Sequence, residues 1–270
     1  SFKLSAFHTC FNVCNVLILI WFVKPIEKTV CKLLPQKEQE EEYRLQFITG
    51  GMLSTAELSI LQARKEINLF AERIRRMFRM VTDLLHTDDE TAFNKLFSRI
   101  EKYENISDNM EVEIANYLNQ VSEGRLSSES KLQIRGMLRE VTEIESIGDS
   151  CYNLARTINR KRRGSEDFTQ GQYEHIHEMF HLTDEALKQM IALVEDVHHS
   201  EDVNKSFNIE TEINNYRNRL KNQNVIDVHD KKYDYQMGVH YMDLITECEK
   251  LGDYVVNVVE AHCDVKEKKA

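Results

Sequence analysis

Residues Glu143–Ala155 read EIESIGDSCYNLA and residues Glu247–Val259 read ECEKLGDYVVNVV, so glutamate, glycine, aspartate and asparagine recur at matching places. Glu145, Asp149 and Asn153 stand four residues apart in the first stretch, as do Glu249, Asp253 and Asn257 in the second. A spacing of four stacks side chains on one helical face, a turn apart. The chain is therefore expected to contain a duplicated helical unit with oxygen ligands at the same place in each copy. Gly148 and Gly252 precede the two aspartates, and a mid-helix glycine costs about 1 kcal/mol relative to alanine. Close approach of another backbone, or of a ligand, is expected to offset that cost. Neighbouring carboxylates on one helix also repel, and a cation between them would remove the difficulty.

The rest of the chain fits long helices. Both prolines, Pro25 and Pro35, lie near the start, and only nine glycines are present in 270 residues, so few helix breakers interrupt the chain beyond residue 35. From Thr55 the apolar positions Leu58, Leu61, Ile67, Phe70, Ile74, Phe78, Val81 and Leu85 recur mostly at three- or four-residue steps, which is the pattern of an amphipathic helix. Further helices are expected from about Asp89 to Val121 and from Ser128 to Arg162, the latter entered through a capping stretch, SSESKL. A second trio comes next, from Gln170 to Val197, Val203 to Lys221 and Asp230 to Ala261. Short joins between long helices imply antiparallel neighbours, and hence two three-helix bundles in an all-α fold. The basic knot NRKRRG, Asn159–Gly164, reads as cations and a glycine closing a helix C-terminus rather than as an anion site.

Leu4–Val23 is different in kind. LSAFHTCFNVCNVLILIWFV holds no Asp, Glu, Lys or Arg and has about the ~20 residues that cross a bilayer. Ser5, His8, Asn12 and Asn15 would share one stripe of that helix, facing other protein rather than lipid. A buried helix of a soluble protein or a cleaved signal peptide are the competing readings, though no basic leader precedes the apolar run. Lys24, Lys28 and Lys32 after the span, with Trp21 at its edge, place the remainder on the cytoplasmic side. Six scattered cysteines without a paired spacing agree with a reducing compartment. A lone span with a polar stripe lacks a partner within this chain, and no methionine stands first, so the sequence is expected to be the C-terminal part of a larger, multi-pass protein of the inner (plasma) membrane. The expected organisation is a transmembrane helix over 1–24, a cytoplasmic connector over 25–54, repeat 1 over 55–164, repeat 2 over 165–265 and a tail over 266–270. With 45 acidic against 35 basic residues, the chain repels a phosphate backbone, and nucleic acid is excluded as a partner.

The second helix of each trio adds further ligands. Glu104, Asp108 and Glu111 recur at spacings of four and three, and Glu210 and Asn214 correspond in the second repeat. These are hard oxygen donors, suited to Mg²⁺, Ca²⁺, Mn²⁺ or iron rather than to a thiolate-type zinc site. Solvated acidic helix faces are the simpler reading of each pair taken alone. A ferritin-type di-iron centre would need Glu-x-x-His on two helices; Glu174 with His177, and Glu178 with His181, fit that spacing but lie on one helix. His177 and His181 are one turn apart and form a second, weaker transition-metal pair. Neither a Gly-rich phosphate loop nor a nucleophile–base arrangement appears, so the segment is expected not to be an enzyme.

ESIGD with Asn153 and EKLGD with Asn257 resemble the paired signature of the PhoU family over roughly residues 55–265. That resemblance implies two three-helix repeats and metal clusters held by E/DxxxD motifs. Carried over by position, the metal-facing residues are Glu104, Asp108, Glu145, Asp149, Glu249 and Asp253, with Glu210 weaker; Asn214 stands where the family pattern has an aspartate. AFHTCFNVCNVLILIWFVKPIEKTV, Ala6–Val30, resembles the last membrane helix of bacterial sodium/phosphate cotransporters that carry a PhoU-like C-terminal domain. The two resemblances together imply a regulatory cytoplasmic tail, joined to an upstream membrane domain that moves sodium and phosphate, with a homodimer as a further expectation. The alternative is a single-span, membrane-anchored PhoU-like regulator or scaffold acting on a separate transporter.

Overall fold

Alternating buried and exposed positions at helical period run through six long helices of a computed structural model that describes residues 5–9, 11–12, 45–48, 55–164, 166–195 and 201–267. They are α1 (Ala56–Leu85), α2 (Glu90–Ser122), α3 (Ser128–Arg162), α4 (Gln170–Glu195), α5 (Glu201–His229) and α6 (Tyr235–Glu267). The chain divides into two units, Ser1–Arg44 and Leu45–Ala270. In the first, residues 5–9 and 11–12 are helical. Most of the expected membrane span, including Asn15, lies outside the described residues, as does most of the 25–54 connector. Among the described residues no helix is long and apolar enough to cross a membrane.

In the second unit, α1, α2 and α3 pack pairwise into one bundle and α4, α5 and α6 into another. The expected two-repeat architecture is present. Each entry has a local cause: Asp89 caps α2 by accepting from the Ala92 amide at 2.8 Å, and Ser127 caps α3 by accepting from Ser130 at 3.0 Å. Thr169 and Gln172 cap α4 reciprocally, each side chain accepting from the other residue's amide. The fifth helix runs two turns beyond the expected Lys221, to His229, and the sixth begins at Tyr235 rather than Asp230. Nothing between Lys221 and His229 breaks a helix; the reversal waits for Lys231, whose φ of 57° is left-handed, and for Asp234, which accepts from the Met237 amide.

The expected α1 stripe holds from Ile67 to Leu85 and departs only over the first two turns. Ile60, Ala63, Ile67, Phe70, Ile74, Phe78 and Val81 are buried, whereas Leu58 and Leu61 are about half exposed, at 47% and 51%. Both leucines lie to the side of the face that α2, α3 and α4 cover. Next to that face the wholly buried Glu66 carboxylate accepts from the Gln46 and Phe47 amides at 2.9 and 2.7 Å, which fixes residues 45–48 against α1.

The two bundles join through equivalent helices, α1 on α4 and α3 on α6, with α3 and α6 forming the most extensive contact in the molecule. Phe78 meets Phe180 edge to face at 5.5 Å, and Arg75 holds Asp184 with both arms at 2.8 and 2.9 Å. Burial would raise the Glu140 carboxyl, but the Arg64 guanidinium and then the His262 ring keep it below its ordinary value. This trio, centred on the wholly buried Glu140, pins α1, α3 and α6 together. The basic knot also serves structure: Arg162 donates to the Thr87 and Asp88 carbonyls and lies over the Phe93 ring at 4.4 Å, while Lys161 pairs with Asp167.

Candidate metal centre

Gly148 is where the first acidic group is assembled. A Cβ there would meet Ser107 Oγ at 2.8 Å and Ile74 Cδ1 at 3.1 Å, so the missing side chain lets α3 sit closely on α2 and α1. Gly252 is looser, its nearest neighbour being Ile213 Cδ1 at 3.3 Å. Side-chain packing therefore accounts for Gly148, whereas Gly252 meets only a mild contact. The close approach at Gly148 sets the next residue, Asp149, against the acidic face of α2.

One carboxylate oxygen from each of Glu104, Asp108 and Asp149 lies within 4.8 Å of the others. Glu145 stands one turn before Asp149, and Glu111 one turn beyond Asp108, its carboxylate accepting from Thr142 Oγ1 at 3.0 Å. Burial, then Asp149, Glu111 and Asp108, push the Glu145 carboxyl up to about 7, against a weak opposing hydrogen bond with Ser146. Asp149 is raised by burial, then by Asp108, Glu111 and Glu247; Glu104 is raised by burial, then by Asp108, Asp149 and Glu101. The charged neighbours acting on these three groups are themselves acids. Asp108 and Asp149 are exposed and Glu104 and Glu145 half-buried, and hard oxygens in mutual repulsion are a donor set that fits a hard cation.

The second repeat is built differently. Glu210 and Glu249 both lie near enough to Asp253 to raise it, but among the described residues only the repeat 1 acids converge to within 4.8 Å. Arg217 reaches across from α5 and pairs with Glu249 through Nη2, while Nη1 donates to Asn218 at 2.9 Å. Asn214 donates its amide to Glu210. Asp253 is raised by burial, then by Glu249 and Glu210, and Arg217 opposes that rise. Asn214 Oδ1 and Arg217 Nε are buried without a hydrogen-bond partner. Here a guanidinium already stands beside the carboxylates, and the set does not fit a metal ion as it stands.

Asn153 and Asn257, expected on the ligand face, turn away to the other repeat. Asn153 donates to Glu247 at 3.3 Å and Asn257 donates to Glu143 at 2.9 Å. Each repeat gives an asparagine and receives one, and residue numbers rise on α3 as they fall on α6, so the two helices run antiparallel about a local two-fold. Of the histidine pair, His177 stacks flat on His86, the residue that caps the C-terminus of α1, with ring centroids 4.4 Å apart, and His181 is exposed. Sequence reading passes over Arg217 and the cross-repeat partners Glu143 and Glu247. Setting α2 and α5 in register finds the first; nothing local announces the other two.

Comparison with known proteins agrees with this outline. The PhoU domain family matches residues 67–158 and 176–261, more than half of the chain and one stretch in each bundle. The chain belongs to the PhoU domain family. Its PhoU fold is shared with the phosphate transport system regulatory protein PhoU from Streptococcus pneumoniae, at 13% identity and a TM-score of 0.68 over 79% of this chain and 98% of that one. PhoU from Pseudomonas aeruginosa aligns at 12% identity and a TM-score of 0.71 over 78% and 99%. A search of curated protein sequences gives no match. At such identities the likeness fixes the PhoU fold, and the chemistry rests on the acids, amides and arginine of this chain.

Proposed function

We propose that this PhoU domain is a non-catalytic regulator of phosphate transport whose first repeat holds a hard divalent or iron ion through Glu104, Asp108, Glu145 and Asp149. The observation that carries the reading is the convergence of Glu104, Asp108 and Asp149 from α2 and α3, with Glu145 one turn away, in a family whose solved members include a phosphate transport system regulatory protein. A bound cation would supply the positive charge that lets the carboxylates ionise together. Glu145 and Asp149 hold the α3 side of the site, Glu104 and Asp108 the α2 side, and Gly148 sets the distance between them. The regulated protein is an upstream membrane domain of the same polypeptide, a sodium-dependent phosphate transporter, reached through the 25–54 connector on the cytoplasmic side. The uncharged run from Leu4 to Val23 and the lysines after it support that topology. The domain would act by favouring one state of that partner, which requires contacts that differ between the two states.

Elemental analysis of the full chain is the first test. Wild type should retain a metal that the Asp108→Asn/Asp149→Asn variant loses, and equal metal in both would refute the assignment. The regulatory half is tested by phosphate uptake in cells carrying the same variant, where an unaltered response of uptake to external phosphate would refute it.

A further inference from the structure

The duplication places opposite charges at one equivalent position. The register that pairs Glu104 with Glu210 and Asp108 with Asn214 sets Glu111 against Arg217, and on α3 and α6 it pairs Glu145 with Glu249 and Asp149 with Asp253. Five acids in repeat 1 thus correspond to three acids, one amide and one arginine in repeat 2. Arg217 lies two turns along α5 from Glu210, on the same helical face, and its guanidinium is engaged with Glu249, the counterpart of Glu145. Both side chains are largely buried, at 24% and 13% exposure. Glu210 in turn is held by the Asn214 amide.

We propose that Arg217 is a built-in cation that takes in repeat 2 the place a metal ion takes in repeat 1, so that the protein binds metal at one of its two acidic clusters and the other is closed to ions. The second half stands on the contacts of Arg217 and Asn214; the first half rests on the metal reading of repeat 1. A guanidinium keeps its charge at every working pH, so proton loss cannot open this cluster. An ion bound by Glu249 would sit within a few ångströms of Arg217, where like charges in a partly dry site repel strongly. The amide at Asn214 removes one more negative charge that would have drawn an ion in. The domain is therefore asymmetric: repeat 1 answers to metal, while repeat 2 keeps one fixed state.

The test is manganese(II) uptake by the metal-stripped full chain, counted by equilibrium dialysis. Uptake should be abolished by Asp108→Asn/Asp149→Asn, unchanged by Glu249→Gln/Asp253→Asn, and doubled by Arg217→Glu/Asn214→Asp, which copies the repeat 1 ligands into repeat 2. Uptake halved by Glu249→Gln/Asp253→Asn would overturn the proposal while leaving the repeat 1 site intact. Wild type that takes up no manganese would instead sink the metal reading of repeat 1, and Arg217 is then judged by a milder variant that also covers misfolding of the double one. Arg217→Gln should lower the thermal midpoint by about 5 °C, and manganese should restore it while leaving wild type unmoved. A loss that manganese does not restore would overturn the built-in-cation role.

Discussion

The acidic clusters of the two repeats occupy equivalent places on equivalent helices and solve the same electrostatic problem in opposite ways. In repeat 1, Glu104, Glu145 and Asp149 are all raised by burial and by neighbouring acids, and among the described residues the leading charged influences on them are all acids. In repeat 2, Arg217 pairs with Glu249 and pulls against the rise at Asp253. One cluster gathers acids alone, and the other has a guanidinium among its carboxylates. The difference teaches that a duplicated motif can keep its backbone role, helix on helix at a glycine, while its charge chemistry diverges by a few side chains.

The largest expected effect breaks the comparison from the repeat 2 side. Removing one partner of a largely buried ion pair leaves an unpaired charge, at a cost of about 2–4 kcal/mol after allowing for partial exposure. Arg217→Ala should lose that much in metal-free urea unfolding, whereas Glu111→Ala at the equivalent place in repeat 1 should leave stability equal or raised. Next come the glycines. Gly148→Ala should cost about 2 kcal/mol, because its Cβ would overlap Ser107 and Ile74. Gly252→Ala should be near neutral, since about 1 kcal/mol of helix propensity offsets a mild contact with Ile213.

The pH dependence separates the repeats more finely. Glu145 binds its proton more tightly in the folded protein than in the unfolded chain, where its carboxyl has the ordinary value of 4.5 against about 7 when folded. The favourable contribution is therefore fully present below that ordinary value and is lost as pH rises through the folded one. Glu145→Gln should match wild type at pH ~4 and be more stable by about 1 kcal/mol at pH ~8, a figure reduced for solvent screening of a half-buried group. Thermal melts across this range, without metal, check it, and added manganese should erase the difference. The smallest effect concerns the two-fold bonds. Asn257→Ala, losing a 2.9 Å bond, should cost about 1 kcal/mol, and Asn153→Ala, losing a longer and exposed one of 3.3 Å, less than half of that. Equal losses in chemical denaturation would show that the two-fold is energetically symmetric.

Much of the fold is legible in the sequence because its signals are local. Helical period, capping residues and the repeated Glu-x-x-Gly-Asp phrase locate α3 at Ser128–Arg162 and the other helices to within a turn or two. The misreadings are equally physical. Leu58 and Leu61 fit a three- and four-residue step as well as Ile60 and Ala63 do, and only the position of the neighbouring helices selects the buried phase. The end of α5 escapes a sequence reading because Asn, Val and Asp between Lys221 and His229 lower helix propensity without stopping a helix.

By itself the sequence determined that this is a duplicated all-helical chain, with acids on the second and third helices of each half and a glycine beside each aspartate. Those properties arise from spacing along one chain, and spacing is all that a helix needs. Tertiary structure alone decided what each acid faces: Glu104 and Asp108 against Asp149, Arg217 against Glu249, Asn153 and Asn257 against glutamates of the opposite repeat. Electrostatic energy depends on distances of a few ångströms between residues far apart in sequence, and the packing of α2, α3, α5 and α6 sets those distances.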